Sequence, residues 1–336
     1  MMIRIFRGIT FRQHKCAGTK ALPRIRMGVR MADLVKVWIV FLLLAIPRIA
    51  GAQSELNLNG AIDLRVHAGP DSMDRAIDAD DLARLAKQSG MRALVLTNQW
   101  DSTAAVAYMV RKQVPGIEIF GSIVLDRPFG GINLEAVKRM TMLKGGWGRV
   151  VFLPEFDSEN FVKTLHQTGP TVPVSKDGHL LPSVLELLDF MAQHPDMVLE
   201  TGDVTAEEGL MVVHEAHVRG VKHVVVKNAM GLFVHMTVPQ MKQAAAEGAY
   251  LEFVYNSVIG NKPQNPIGEY AEGIKQVGPQ YCVLGTDFGA VKNPPLPFHP
   301  QALLEFMQAL HKEGISVADI NLMVKTNPAR VLGLEP

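Results

Sequence analysis

The stretch AIDLRVHAGPDS, Ala61 to Ser72, sets Asp63, Arg65 and His67 at alternate positions between Ile62, Leu64 and Val66. A period of two is the spacing of a β-strand, whose successive side chains point to opposite faces. The strand therefore offers one ionisable face and one aliphatic face, and the sheet around it must supply a different environment for each.

Downstream, the same unit recurs. Short β-branched runs at 61–67, 93–97, 117–125, 149–153, 197–201, 223–227, 250–255 and 281–286 predict eight strands. Between them lie stretches such as DADDLARLAKQ, STAAVAYMVRKQV, LPSVLELLDFMAQH and TAEEGLMVVHEAHVRG, with apolar residues at three and four spacing. Thr205 with Glu208 and Ser316 with Asp319 have the spacing of helix-start capping boxes, and Gly90, Gly220 and Gly248 stand where helices end. Strands alternating with helices imply a parallel sheet. Eight units fit a closed (β/α)8 TIM barrel, followed by an extra C-terminal helix in SVADINLMVKTNPARVLGL. No G-x-G-x-x-G follows the first strand; GGWG precedes a strand and FGGIN reads as a plain loop. In this barrel Ile62, Leu64 and Val66 are expected to face the helices, and Asp63, Arg65 and His67 the interior.

Upstream, the basic residues before Val37 face a single acid, Asp33, and precede the apolar run VWIVFLLLAIP. That run is too short to span a bilayer, which takes roughly 20 apolar residues, but it suits a signal-peptide core. Ala50-Gly51-Ala52 has the small-x-small form of a cleavage site, so residues 1–52 are expected to be a basic region and signal peptide, cleaved after Ala52, with Met27 or Met31 as more ordinary starts. Residues 53–336 then form one barrel domain, exported to the periplasm or secreted, with no stable membrane insertion. Cys282 would be the one cysteine left, in an apolar string that suits a buried, inert thiol.

The 336-residue chain carries a formal net charge of +1, which removes the electrostatic case for nucleic acid as a partner. A small-molecule substrate is the expected partner, and self-association into a homo-oligomer stays open. In TIM barrels the carboxyl ends of the strands carry the chemistry. Here those ends bear Arg65 and His67; Thr97, Asn98 and Gln99; Asp126 and Arg127; Glu155 and Asp157; Glu200 and Asp203; Lys227 and Asn228; Glu252, Tyr255 and Asn256; and Asp287. Buried charges without partners would cost several kcal/mol each, on the order of 3 kcal/mol or more, so they need each other or a ligand.

DLRVHAGPDS resembles the first-strand motif of the amidohydrolase superfamily, in which D-x-H-x-H supplies two metal ligands. EIFGSIVL, GGINLEAV, AAAEGAYLEFVYN, GTDFG and NPARVLGL extend the resemblance to one uncharacterised amidohydrolase-like family, over about Leu56 to Leu334. The resemblance implies a metal-dependent hydrolase ancestry with the metal at the barrel mouth. His67 matches the second histidine of the pair and Asp287 the eighth-strand aspartate. Arg65 stands at the first histidine position, Asp203 and Asn228 stand where relatives have histidine, and Thr97 and Gln99 stand where a lysine and a histidine are expected. Arginine has no lone pair to give, so a two-metal site is disfavoured.

What remains on that resemblance is one divalent ion, Zn, Mn or Fe, held by His67, Asp203 and Asp287 and activating water to hydrolyse a small amide, ester or lactone. Asp287, His67 and Arg65 are the catalytic candidates. Arg65, Asn98, Gln99, Asn228, Tyr255 and Asn256 are the substrate-binding ones. Two rival readings need no metal. One is a lyase or isomerase organised around Arg65, with His67 as general base near the ordinary imidazole pKa of about 6.5. The other is a degenerate binding protein whose polar cluster is a salt-bridge network.

Other constellations carry less. His214 and His217 in HEAH are three apart, where the zincin motif needs four, and read as solvated helix surface. His235 and His299 are loop histidines, and the roles of Glu155 and Asp157 stay open between capping and the site. The methionines at helical spacing read as core filler. No G-x-S-x-G is present, which disfavours acyl-enzyme chemistry.

Overall fold

The computed structural model describes residues 56–260, 263–289 and 299–335; the expected signal peptide and its cleavage site lie outside them. Eight parallel strands form the sheet: β1 Ile62–Val66, β2 Ala93–Leu96, β3 Glu118–Val124, β4 Gly148–Phe152, β5 Val198–Glu200, β6 His223–Val226, β7 Tyr250–Val254 and β8 Cys282–Gly285. Helices connect them, as a parallel sheet requires. All eight expected strands form, within a residue or two of their expected bounds. A short antiparallel ribbon, Ser175–Lys176 with His179–Leu180, is inserted between β4 and β5 and was not foreseen. Among the described residues no helix is long and apolar enough to cross a membrane.

Two apolar layers sandwich the strands. The outer one joins Val66, Leu94, Ile119, Val151, Leu199, Leu251 and Leu284 to the helices. The inner one joins Ile62, Leu64, Val95, Phe120, Phe152, Val198, Val225 and Val283 to Ala329, Val331 and Leu332. Those last three residues belong to the terminal segment around helix Asn327–Val331, which plugs the amino-terminal end of the barrel. The predicted caps form: Thr205 and Glu208 exchange both capping-box bonds, and Ser316 accepts from the Asp319 amide. Cys282 is buried in the outer layer, and burial raises its thiol pKa.

One expectation about β1 is corrected. Ile62 and Leu64 lie in the inner layer, not against the helices, while Val66 does face them. The cause is a β-bulge: Asp63 pairs with Leu94 and Val66 with Leu96, so three steps on β1 match two on β2. A bulge shifts the in-out alternation by one residue and re-aims the side chains beyond it. Leu64 and Arg65 thus both enter the barrel, and Asp63 is turned into the seam where β8 closes on β1.

At that seam the Asp63 carboxylate does the work of a ladder. It accepts the amides of Arg65 at 3.0 Å and Thr286 at 3.2 Å, the Thr286 hydroxyl at 2.7 Å, and a bond from His299 Nε2 at 3.2 Å. Main-chain bonds resume just above, from Asp287 N to Arg65 O and from His67 N to Phe288 O. His299, expected to be an incidental loop residue, is buried here as a partner of Asp63.

Candidate functional site

At the carboxyl end of the barrel the bulge delivers Arg65 into the centre of the interior. Its guanidinium lies over the Phe152 ring at 4.8 Å and is enclosed by three glutamates from different strands. Nε lies 3.1 Å from both Glu252 oxygens, Nη1 is 3.1 Å from Glu155, and Nη2 is 3.0 Å from Glu252 and 3.4 Å from Glu200. All four side chains are at most 2 % exposed. Desolvation opposes the charge on Arg65, but Glu252, Glu155 and Glu200 overcome it and raise its pKa. Glu200 goes the other way: burial first and Glu252 next lift it well above the ordinary range, which favours the neutral acid.

Above Arg65, at the end of β6, Lys227 Nζ bonds Glu155 at 2.9 Å and Asp203 at 2.7 Å. Burial would lower its pKa, but Asp203 and Glu155 raise it, so the ammonium is fixed. Burial also dominates Asp203, whose pKa rises to about 6 despite Lys227. Gly202, with φ +71, makes the turn that presents Asp203; a Cβ there would meet the Leu153 carbonyl at 2.4 Å.

Opposite stands the pair His67 and Asp287. His67 Nδ1 bonds the Thr97 carbonyl, and Nε2 is 2.9 Å from Asp287 Oδ1, while Asn256 Nδ2 donates to Asp287 Oδ2 at 2.9 Å. Burial would push the Asp287 carboxyl up, but the bonds from His67, the charge of Arg65 and the Asn256 bond hold it well below the usual carboxylate range. A carbonyl can only accept, so Nδ1 is the ring nitrogen that donates to Thr97. Asn228 and Asp287, at the ends of β6 and β8, both have positive φ, of 38° and 57°. Asn and Asp tolerate that region best, and such strain clusters where a site dictates direction.

These groups line one cavity of about 170 Å³, with Arg75, Gln99, Phe156, Phe233, Ser257 and Gln264 around its rim. Of the sequence candidates, Arg65, His67, Gln99, Asp203, Asn228, Asn256 and Asp287 line it. Asn98 does not; its amide bonds the carbonyls of Ala68 and Pro70. Tyr255 also turns away, stacking on Phe288 and Phe306 in the outer layer. Glu155 joins the site, whereas Asp157 accepts the Arg127 amide and Ser158 caps the next helix. Arg75, Phe156, Phe233 and Tyr270, whose hydroxyl holds Asn228 at 2.9 Å, were missed. They lie in loops or on a helix, away from the strand ends. His214 is 60 % exposed, as a solvated surface residue should be.

The ligand set expected for Zn, Mn or Fe does not fit these residues. His67 turns Nδ1 to the Thr97 carbonyl and Nε2 to Asp287, so neither ring nitrogen faces an open position. Asp203 is bound to an ammonium, and both Asp287 oxygens are taken. Two fixed cations, Arg65 and Lys227, sit inside the cluster, and among the described residues no three His, Cys, Asp or Glu side chains converge as a metal site.

Solved structures similar to this chain share its fold. The organophosphorus hydrolase of Deinococcus radiodurans is 14 % identical with a TM-score of 0.54, over 82 % of this chain and 92 % of that one. A putative 2-pyrone-4,6-dicarboxylic acid hydrolase of Pseudomonas putida is 13 % identical with a TM-score of 0.55, over 84 % and 100 %. The Agrobacterium tumefaciens protein ATU3138 is 15 % identical with a TM-score of 0.53, over 85 % and 100 %. The (β/α)8 TIM barrel expected from the sequence is therefore the fold of this chain. No curated protein matches it. A family described only as of unknown function matches residues 60–252, more than half of the chain, and the chain belongs to that family, DUF6282.

Proposed function

We propose that this barrel hydrolyses a compact lactone, ester or amide with its own charges in place of a metal. One observation carries the reading: Lys227, pinned between Glu155 and Asp203, faces the same cavity as the His67–Asp287 pair. The likeness to proteins named as hydrolases supports the reaction class.

Lysine has three donors, and two are used by the carboxylates. The remaining N–H suits the carbonyl oxygen of a substrate, whose charge grows in the transition state. Asp203 has a second oxygen with no protein partner among the described residues, and its pKa of about 6 suits a general base near neutral pH. It would take a proton from water as the water oxygen bonds to the carbonyl carbon. As the bond to the leaving oxygen or nitrogen breaks, that atom would take the proton that Asp203 accepted from the water, which returns the carboxylate to its starting state.

Arg65 lines the cavity, but four of its five N–H donors go to glutamates, so its main part is to position Glu155 and Glu252. That enclosure counts against a lyase organised around Arg65. A screen of small lactones, esters and amides tests the reading, with wild type, D203N and K227M compared. Turnover by wild type that falls about 10²- to 10⁴-fold in both variants supports it. Equal rates in all three proteins, or none in wild type, overturn it.

A further inference from the structure

One wall of the cavity is aromatic and rigid. Phe156 stacks on Phe161 at 4.9 Å and meets the edge of Trp100 at 5.6 Å, while Phe161 packs on Phe233 at 4.6 Å. The wall is pinned through its backbone. Asp126 accepts the Phe156 amide at 3.1 Å, and Asn160 donates to the Phe233 carbonyl at 2.7 Å. Phe156 and Phe233 are half-buried, and both line the cavity.

A cation stands on the rim beside this wall. Arg75 comes from the loop after β1, and its side chain is only 4 % exposed. Asp71 holds its Nε, and Nη2 donates to Gln99 Oε1 at 2.8 Å; Gln99 in turn donates to Glu155 at 3.4 Å. Nη1 has no protein partner among the described residues, although Arg75 lines the cavity. A guanidinium fixed on two sides and open on the third is a ready acceptor of a carboxylate. The acids deeper in the site do not forbid an anion here, because Arg65 and Lys227 neutralise neighbours there.

We infer that the cavity selects a compact, flat, ring-bearing monocarboxylate, its carboxylate on the open edge of Arg75 and its ring against Phe156 and Phe233. Volume fits: the cavity, about 170 Å³, slightly exceeds the ~150 Å³ that holds a benzene molecule. The inference rests on the cavity being the substrate site, but not on hydrolysis.

Calorimetric titration of the full chain with benzoate, benzamide and cyclohexanecarboxylate tests it. Benzoate should bind wild type about tenfold or more tightly than benzamide, the value of one charge-assisted hydrogen bond. R75Q should erase that preference and R75K restore part of it. Benzoate should also bind several-fold more tightly than cyclohexanecarboxylate, a difference that F233L should shrink. Benzamide binding as tightly as benzoate, or an R75Q protein that keeps the preference, overturns the inference. If R75Q does not fold, the wild-type comparison alone decides. Binding is read without turnover, so a protein that prefers benzoate yet hydrolyses nothing overturns only the hydrolytic reading. One that hydrolyses without the preference overturns only this inference.

Discussion

Arg65 Nε, 3.1 Å from both carboxylate oxygens of Glu252, makes the deepest ion pair of the barrel, with the two side chains 1 % and 0 % exposed. Breaking such a pair leaves an uncompensated buried charge, which costs about 3–5 kcal/mol. R65M should lose at least that much in chemical denaturation, because three glutamates lose their partner. A loss below about 1 kcal/mol would mean that the cluster is solvated and weak.

The glutamates should not be equivalent. Glu200 is the most distant, at 3.4 Å, and burial beside Glu252 already favours its neutral form. E200Q should therefore cost about 1 kcal/mol or less, the net value of a neutral hydrogen bond. E252Q should cost about 3 kcal/mol or more, since it removes the closest counter-charge. Denaturation midpoints of the two variants would rank them, and the reverse order would contradict this charge assignment.

Asp203 gives a pH signature. Its folded pKa, about 6, exceeds the ordinary 3.8, so the folded state holds the proton more tightly than the unfolded one. The associated stability is complete below pH ~4 and is lost as pH rises through about 6. D203N does not titrate there. Its stability relative to wild type should climb over that window by up to about 3 kcal/mol. Lys227, left with Glu155 alone, adds a constant offset, so the slope is the readout. A flat difference would place the titration elsewhere.

Closure of the barrel depends on Asp63. D63A strips acceptors from two buried amides, a hydroxyl and His299, and each buried group left unpaired costs about 1–3 kcal/mol. The variant should melt well below wild type and exchange its Thr286 amide much faster in hydrogen-exchange measurements. Unchanged protection of Thr286 would show that the seam holds without the carboxylate.

The barrel was legible because its strands and helices differ in period: alternating DLRV against helical DDLARLAKQ is a local property that packing reinforces. The β1 bulge was not legible, because it arises from a mismatch with β2 that no single strand displays. Ile62, Leu64 and Asp63 were misplaced for that reason alone, while Arg65 and His67 were aimed into the site as expected. Strand-end reading also brought Glu155, Glu200, Asp203, Lys227, Glu252 and Asp287 into view. It could not separate Tyr255, which turns outward, from Asn256, which turns in, because the strand ends in a tight turn over Tyr255–Ser257. Arg75, Phe156 and Phe233 come from loops, whose course no periodicity encodes.

Arg65 and Lys227 are proposed to supply the positive charge at the barrel mouth in place of an ion. That replacement is tested by the rate of hydrolysis of a small lactone or ester by exhaustively chelated protein, with metal content measured in the same sample. The rate should be undiminished in chelator, show no gain on adding Zn, Mn or Fe, and fall by at least about 10²-fold in K227M. Activity abolished by chelation and restored by one equivalent of metal would contradict it.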